Sequence, residues 1–196
     1  MTKVKGEILH QDFYRRPDVV QISRDLLGKV LCTFFDGTLT AGMITETEAY
    51  CGRNDKACHA NDGTRTARTE VMYGEPGRSY IYLCYGIHHL FNVVTNEEEL
   101  ADAVLIRGIE PLDGMEIMKQ RRGMESVKNL CNGPGKLTQA LGIRTSMSGG
   151  TLMAPPVWIE NRNVSVSERE VRATPRIGVD YAGDHSLREW RFLLER

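Results

Sequence analysis

No apolar run in this chain approaches the roughly 20 residues that a membrane-spanning helix needs, which excludes that class of protein. The opening stretch M-T-K-V-K-G-E-I-L-H has no apolar core of a secretory signal, so the cytoplasm is the expected compartment. Cysteine is sparse as well: Cys32, Cys51, Cys58, Cys84 and Cys131 form an odd, scattered set without C-x-x-C. That excludes a disulfide framework and fits reduced thiols. Charge of one sign is also missing, with 25 Lys and Arg against 26 Asp and Glu. The overall basic footprint of many nucleic-acid binders is therefore absent. Local footprints remain, at Arg53, Lys56, Arg65, Arg68 and Arg78 and again at Lys119, Arg121, Arg122, Lys128 and Lys136, while acids gather at Glu97 to Glu99. A basic face on a neutral protein suffices for modest, salt-dependent binding. No internal repeat is present, which removes solenoid and propeller architectures.

At 196 residues, 41% hydrophobic and 26% charged, the chain can bury one substantial core and is expected to form a single domain over 1–196. Pro17 to Leu27 reads as a first helix, with Val19, Ile22 and Leu26 on one face and Gly28 at its stop. Lys29 to Phe35, the turn Asp36-Gly37, and Leu39 to Tyr50 read as strand, turn and strand. Cys51 to Met72 is polar and long enough to be a functional loop. Arg78 to Val94 reads as a hairpin, Ala101 to Ile109 as a strand, and Asp113 to Arg122 and Gly133 to Leu141 as helices. Thr145 to Pro156 is Ser, Gly and Pro-rich loop. Val157 to Val166 reads as strand, and Arg169 to Val179 leads to a last strand ending in Trp190, Phe192 and Leu193. The expected class is α+β, with a curved, largely antiparallel sheet flanked by helices.

Chemistry concentrates between Glu46 and Asn92. In E-T-E-A-Y the side chains of Glu46, Glu48 and Tyr50 share one strand face, because residues alternate with period two. Tyr80 and Tyr82 repeat the device. Tyr85-Gly86 then falls at the natural turn of the hairpin, which puts a large aromatic on an exposed tip where it has little packing to gain. A strand glutamate is usually just solvated, but Glu48 stands among tyrosines and His59, the set that a pocket for a flat base plus an acid/base group requires. Tyr50, Tyr82 and His59 could equally be core aromatics. Asn92 and Arg107 are single polar residues on apolar strands and need partners if buried. N-G-P-G-K-L from Asn132 to Leu137 is either a plain helix start or a phosphate site, with Gly135 and Lys136 at its N-terminus. Cys51, Cys58 and His59 match no usual zinc spacing, and His88 and His89 point to opposite strand faces, so no metal is expected.

These residues resemble the alkyladenine (3-methyladenine) DNA glycosylases. The resemblance covers most of the chain and rests on E-x-E-A-Y, the histidine nine residues after Tyr50, Y-x-Y-x-x-Y-G, Asn92, L-I-R-G-I-E-P-L, N-G-P-G-K-L and R-I-G-V in the family's order. It implies a monofunctional enzyme that flips damaged purines out of double-stranded DNA and hydrolyses the N-glycosidic bond. Glu48 would deprotonate the attacking water, with Arg107 and the backbone carbonyl of Val179 beside it. Tyr50, His59 and Tyr82 would hold the base, and Asn92 would exclude normal guanine through its 2-amino group. Tyr85 would fill the gap in the duplex, and Gly135 and Lys136 would hold its backbone. A monomer without cofactors is implied. Asp180 and the length of the Thr95 to Asp102 segment depart from vertebrate members. Two other classes compete: a non-enzymatic module that recognises damaged bases, and a glycoside hydrolase built on Glu46 and Glu48. The second suffers from geometry, because both carboxylates leave the strand in the same direction rather than flanking a bond.

Overall fold

Residues 4–195 are described by a computed structural model. Along the chain these form β1 (Glu7–Ile8), α1 (Gln11–Tyr14), α2 (Val19–Asp25), β2 (Val30–Phe35), β3 (Thr38–Tyr50), β4 (Ser79–Cys84), β5 (His88–Thr95) and β6 (Asp102–Asp113). There follow α3 (Met115–Arg122), α4 (Pro134–Leu141), β7 (Met153–Ala154), β8 (Val157–Asn161), β9 (Val171–Thr174) and β10 (Arg191–Leu194). The strands join one sheet in the order β1-β8-β2-β3-β6-β5-β4, with β7 added to β8, and β10 followed by β9 added to β3. Every described pairing is antiparallel. The class is α+β.

Asp36 and Gly37 take φ of 50° and 75°, so the two-residue turn between Phe35 and Thr38 has the left-handed backbone that matches strand twist. The strand that follows, β3, is the axis of the fold. Along one edge it pairs with β2 over Thr38 to Met43 and with β10 over Glu46 to Glu48; along the other it pairs with β6. The β3–β6 ladder is irregular on both sides of Glu46, and bulges of this kind re-aim side chains.

Period two then sorts the sheet into two chemistries. Thr47, Ile81, Phe91, Val93, Val104 and Ile106 face the helices. There most of them join Ile22 and Leu26 of α2 and Leu137 and Leu141 of α4 in the main core, and Thr47 hydrogen-bonds Ser23 of α2. Glu48, Tyr50, Tyr82, Asn92 and Arg107 occupy the alternate positions. That second face is roofed by the segment between β3 and β4, whose Cys58, Ala60, Met72 and Tyr73 form a smaller apolar cluster with Tyr80, Val94 and Ala103.

Boundaries differ from the sequence reading in a few places, for physical reasons. The first long helix starts at Val19 because Asp18 caps it, accepting N–H bonds from Val20 and Gln21, so Pro17 lies outside. β6 runs on to Asp113 through Pro111, and α3 begins later than expected. Proline is tolerated because β5 pairs only with Asp102 to Leu105, leaving that edge of β6 without a strand. The strand expected over Val157 to Val166 ends at Asn161. The loop read from Thr145 to Pro156 contains the short strand β7, and Arg169 to Val179 contains β9. Such short pieces are held by register with neighbours, a constraint absent from local composition.

Candidate active site

A cavity of about 620 Å³ opens on the second face of the sheet, within the range of small-ligand sites. Its wall includes Tyr50, His59, Tyr82, Asn92, Arg107 and Val179, all anticipated from the sequence. Tyr85, Gly135 and Lys136 also border it.

Glu48 lies behind this wall and exposes no surface to solvent. Burying a carboxylate is costly unless donors surround it. Here the Tyr50 hydroxyl donates to Oε2 at 2.7 Å, and the Ile177 N–H donates to Oε1 at 2.9 Å. The Nε of Arg107 stands 3.4 Å from the same Oε1, and donates at 2.9 Å to Oε1 of Glu46. Burial and then Glu48 push the Tyr50 phenol well above its ordinary pKa, so Tyr50 remains a proton donor. For Arg107, burial works against the charge, but Glu48 and Glu46 outweigh it and raise the guanidinium pKa.

The Tyr50 ring is backed by a second buried pair. Arg176 places its guanidinium 4.8 Å from the Tyr50 centroid and 5.3 Å from that of Trp190. It donates to both oxygens of Asp55, at 2.5 and 2.8 Å, with both side chains wholly buried. Asp55 and Arg176 lie 121 positions apart, so the pair ties the roofing segment to the segment that carries Ile177 and Val179.

Across the cavity, His59 packs edge-on against Tyr82 with centroids 4.8 Å apart, and Tyr82 lies 5.4 Å from Tyr80. The Tyr80 hydroxyl and His59 Nδ1 are 2.9 Å apart. Burial, helped by the Arg68 cation, lowers the His59 pKa to about 4. Asn92 is buried and spends its Nδ2 on the Tyr80 carbonyl at 3.0 Å. Val179 is buried, and its carbonyl accepts from the Ala182 N–H at 2.9 Å. Tyr181 follows it, with the ring largely exposed at the cavity rim and the hydroxyl donating to the Ala57 carbonyl at 3.1 Å.

At the tip of the β4–β5 hairpin, Tyr85 and Gly86 have φ of 52° and 72°. A bulky residue in left-handed backbone is unusual, and Tyr85 is 91% exposed between the exposed Leu83 and Ile87. Gly135 of α4 sits under His88: a Cβ there would fall 2.9 Å from the imidazole. The Lys136 Nζ bonds Asn132 Oδ1 at 2.9 Å.

Cys58 and His59 do not converge, since the thiol faces the Ala101 carbonyl and the imidazole faces Tyr80. Among the described residues no group of three His, Cys, Asp or Glu side chains is gathered for a metal ion. Nor is any helix of the described residues long and apolar enough to cross a membrane.

A family profile described as methylpurine-DNA glycosylase (MPG) matches residues 12–196, nearly the whole chain. The chain belongs to the methylpurine-DNA glycosylase family. A relative from Chlamydia pneumoniae named "Putative 3-methyladenine DNA glycosylase" is 44% identical over 189 residues, covering 95% of each chain. Relatives of the same name occur in Clostridium perfringens (strain 13 / Type A), 41% identical over 196 residues and 95% of each chain, and in Methanocella arvoryzae, 44% identical over 187 residues, 94% of this chain and 91% of its own.

Sequence reasoning missed the Ile177 amide, the Tyr80 hydroxyl, the Asp55–Arg176 pair and Tyr181. R-I-G-V already contained Arg176 and Ile177, and Y-x-Y already contained Tyr80. For Asp55 no local signal existed. Lys56 is exposed and offers its backbone N–H to His185 Nδ1.

The His59 shift has a measurable consequence. The folded imidazole binds its proton only below about 4, whereas an unfolded one does so below about 6.5. Between these values the unfolded chain holds the extra proton, so this contribution to stability is full above about pH 6.5 and falls as pH drops toward 4. Denaturant unfolding across that window should lose stability more steeply in the unmodified protein than in His59→Gln. Equal slopes would count against the assigned environment.

Proposed function

We propose that the chain is a monofunctional DNA glycosylase that flips alkylated and deaminated purines, the class of 3-methyladenine, 7-methylguanine, hypoxanthine and ethenoadenine, out of duplex DNA and hydrolyses their N-glycosidic bonds. Family membership supports the glycosylase reading. The observation that carries the mechanism is the buried Glu48 carboxylate, held by two hydrogen-bond donors and the nearby Arg107 cation directly behind an aromatic-walled cavity.

In this reading the flipped base lies between Tyr50 and the Tyr82–His59 edge, where aromatic contact contributes about 1–3 kcal/mol per base. Asn92 closes the floor against the 2-amino group of guanine. A carboxylate offers roughly four acceptor sites, and Tyr50 and Ile177 each take one. A remaining lone pair on Glu48 takes the proton of a water placed between Arg107 and the Val179 carbonyl. As the bond to the base breaks, positive charge grows on the sugar and Glu48 stabilises it. A base alkylated at N3 or N7 already carries positive charge and leaves with the bonding electrons. Neutral bases such as hypoxanthine need a proton first.

Tyr85 is the wedge. Its exposed ring enters the gap left by the extruded nucleotide and offsets the unstacking cost, while Gly135 and Lys136 hold backbone phosphate at the N-terminus of α4.

Three tests follow from this assignment. Glu48→Gln keeps the shape and the Tyr50 contact but removes the base, so it should bind lesion duplex and lose excision by several orders of magnitude, about 10³-fold or more. Turnover near the unmodified rate in that variant sinks the role of Glu48. Tyr85→Gly relieves left-handed backbone on a residue with little to lose by truncation; unfolding should show unchanged or slightly raised stability, while affinity for lesion duplex falls about tenfold or more. A stability loss with intact binding would mean the tip tyrosine is structural. Finally, lyase chemistry needs an amine beside the reacting sugar, yet Lys136 is engaged with Asn132 and Lys56 is exposed outside the cavity wall. Borohydride should therefore trap no covalent adduct on damaged DNA, and an adduct that vanished in Lys56→Ala or Lys136→Ala would replace the water mechanism.

A further inference from the structure

Glu46 lies outside the cavity wall and has no part in the mechanism so far. Its Oε1 accepts from Arg107 Nε at 2.9 Å and from Arg191 Nε at 2.6 Å. The same Arg107 Nε stands 3.4 Å from Glu48 Oε1. Two carboxylates therefore compete for one donor, and Glu46 wins. Among the described residues, the terminal nitrogens of Arg107 make no hydrogen bond, and its side chain lines the cavity. The backbone is shaped to keep this arrangement: the β3–β6 ladder is irregular on either side of Glu46, and its partner Gly108 carries no side chain, where a Cβ would lie 3.2 Å from that of Glu46.

We infer that Glu46 is a positioning residue that holds Arg107 off Glu48 and turns its guanidinium toward the cavity. This rests on the reading of Glu48 as the general base. Two guanidinium groups, Arg107 and Arg191, face two carboxylates, Glu46 and Glu48. Without the charge on Glu46, the two cations are left with one anion. A guanidinium prefers a paired, two-bond grip on a carboxylate, so Arg107 closes onto Glu48. That grip occupies the lone pairs the attacking water needs and withdraws from the cavity the donors that would orient it. Glu46 thus keeps the lone pairs of Glu48 available.

The test is single-turnover release of 3-methyladenine from duplex DNA alkylated with dimethyl sulfate, over a range of enzyme concentrations. Glu46→Gln should lower the maximal rate about 10–100-fold, the usual size of effects transmitted through a supporting residue, and leave the half-saturating concentration within about threefold. In an Arg107→Met background, adding Glu46→Gln should change the rate by less than about threefold, because coupled residues are non-additive. Arg107→Lys gives the same comparison should Arg107→Met lose its fold, since lysine has no Nε–H to be shared. An unchanged rate in Glu46→Gln, an equal loss in both backgrounds, or a loss confined to the reacting fraction and the unfolding midpoint would overturn the inference. Absence of release by the unmodified protein, or full turnover by Glu48→Gln, brings down the parent reading instead.

Discussion

The interaction on which the rest of this structure depends is the burial of a negative charge in the middle of a sheet. Glu48 stands on β3, the strand that pairs with β2, β6 and β10, and no solvent reaches it. Removing one partner of such a group costs about 3–5 kcal/mol, a large share of a domain's stability. Its partners come from three places: hydrogen bonds from Tyr50 on the same strand and from the Ile177 amide on the segment leading to β10, and the Arg107 cation on β6. The sheet must therefore close around Glu48 from both edges before the charge is satisfied. The contacts that satisfy Glu48 are therefore also contacts that hold the sheet together, and the β3–β6 ladder is irregular where they meet, on both sides of Glu46.

Period two makes this compatible with an ordinary core. One set of alternate residues packs Phe91, Val104 and Ile106 against α2 and α4, where interior packing supplies stability. The other set is free to be polar and aromatic because the segment between β3 and β4 roofs it. A cavity survives there since tyrosines and a histidine meet at edges and angles, with His59 near-perpendicular to Tyr82 at 78°, instead of interdigitating like aliphatic chains. Burial keeps the Tyr50 hydroxyl protonated and lowers the imidazole pKa of His59, so neither of these groups adds a charge to the cavity at neutral pH.

Much of this was legible in the sequence, and the limits of legibility have a pattern. E-T-E-A-Y and Y-I-Y-L-C-Y-G disclose which side chains share a face, because strand geometry is local. Asp36-Gly37 and Tyr85-Gly86 disclose turns for the same reason. What stayed hidden is everything set by contact at long range. The helix cap at Asp18 was local yet overshadowed by the neighbouring Pro17. β7 and β9 are too short to carry a pattern. Asp55 lies within the Cys51 to Met72 loop with no local pattern to mark it, and only the fold brings Arg176 to it. The shared strand face of Glu46 and Glu48 is local, but their competition for one guanidinium needs Arg107 and Arg191 in place.

The Asp55–Arg176 pair shows how the site stays open without collapsing. Aromatic walls on either side of a cavity would gain by closing on each other. Tyr50 is prevented from doing so because its hydroxyl is fixed on Glu48 and its rear face lies on the Arg176 guanidinium. Arg176 is fixed in turn by Asp55, by the Ala49 carbonyl at 2.8 Å and by the His185 carbonyl at 3.1 Å. A planar ring held at its edge and at one face presents its other face to the cavity in a single orientation. The cost of burying the ion pair is thus converted into a rigid platform, and under the proposed function a flipped base would stack on it without first ordering the wall that receives it.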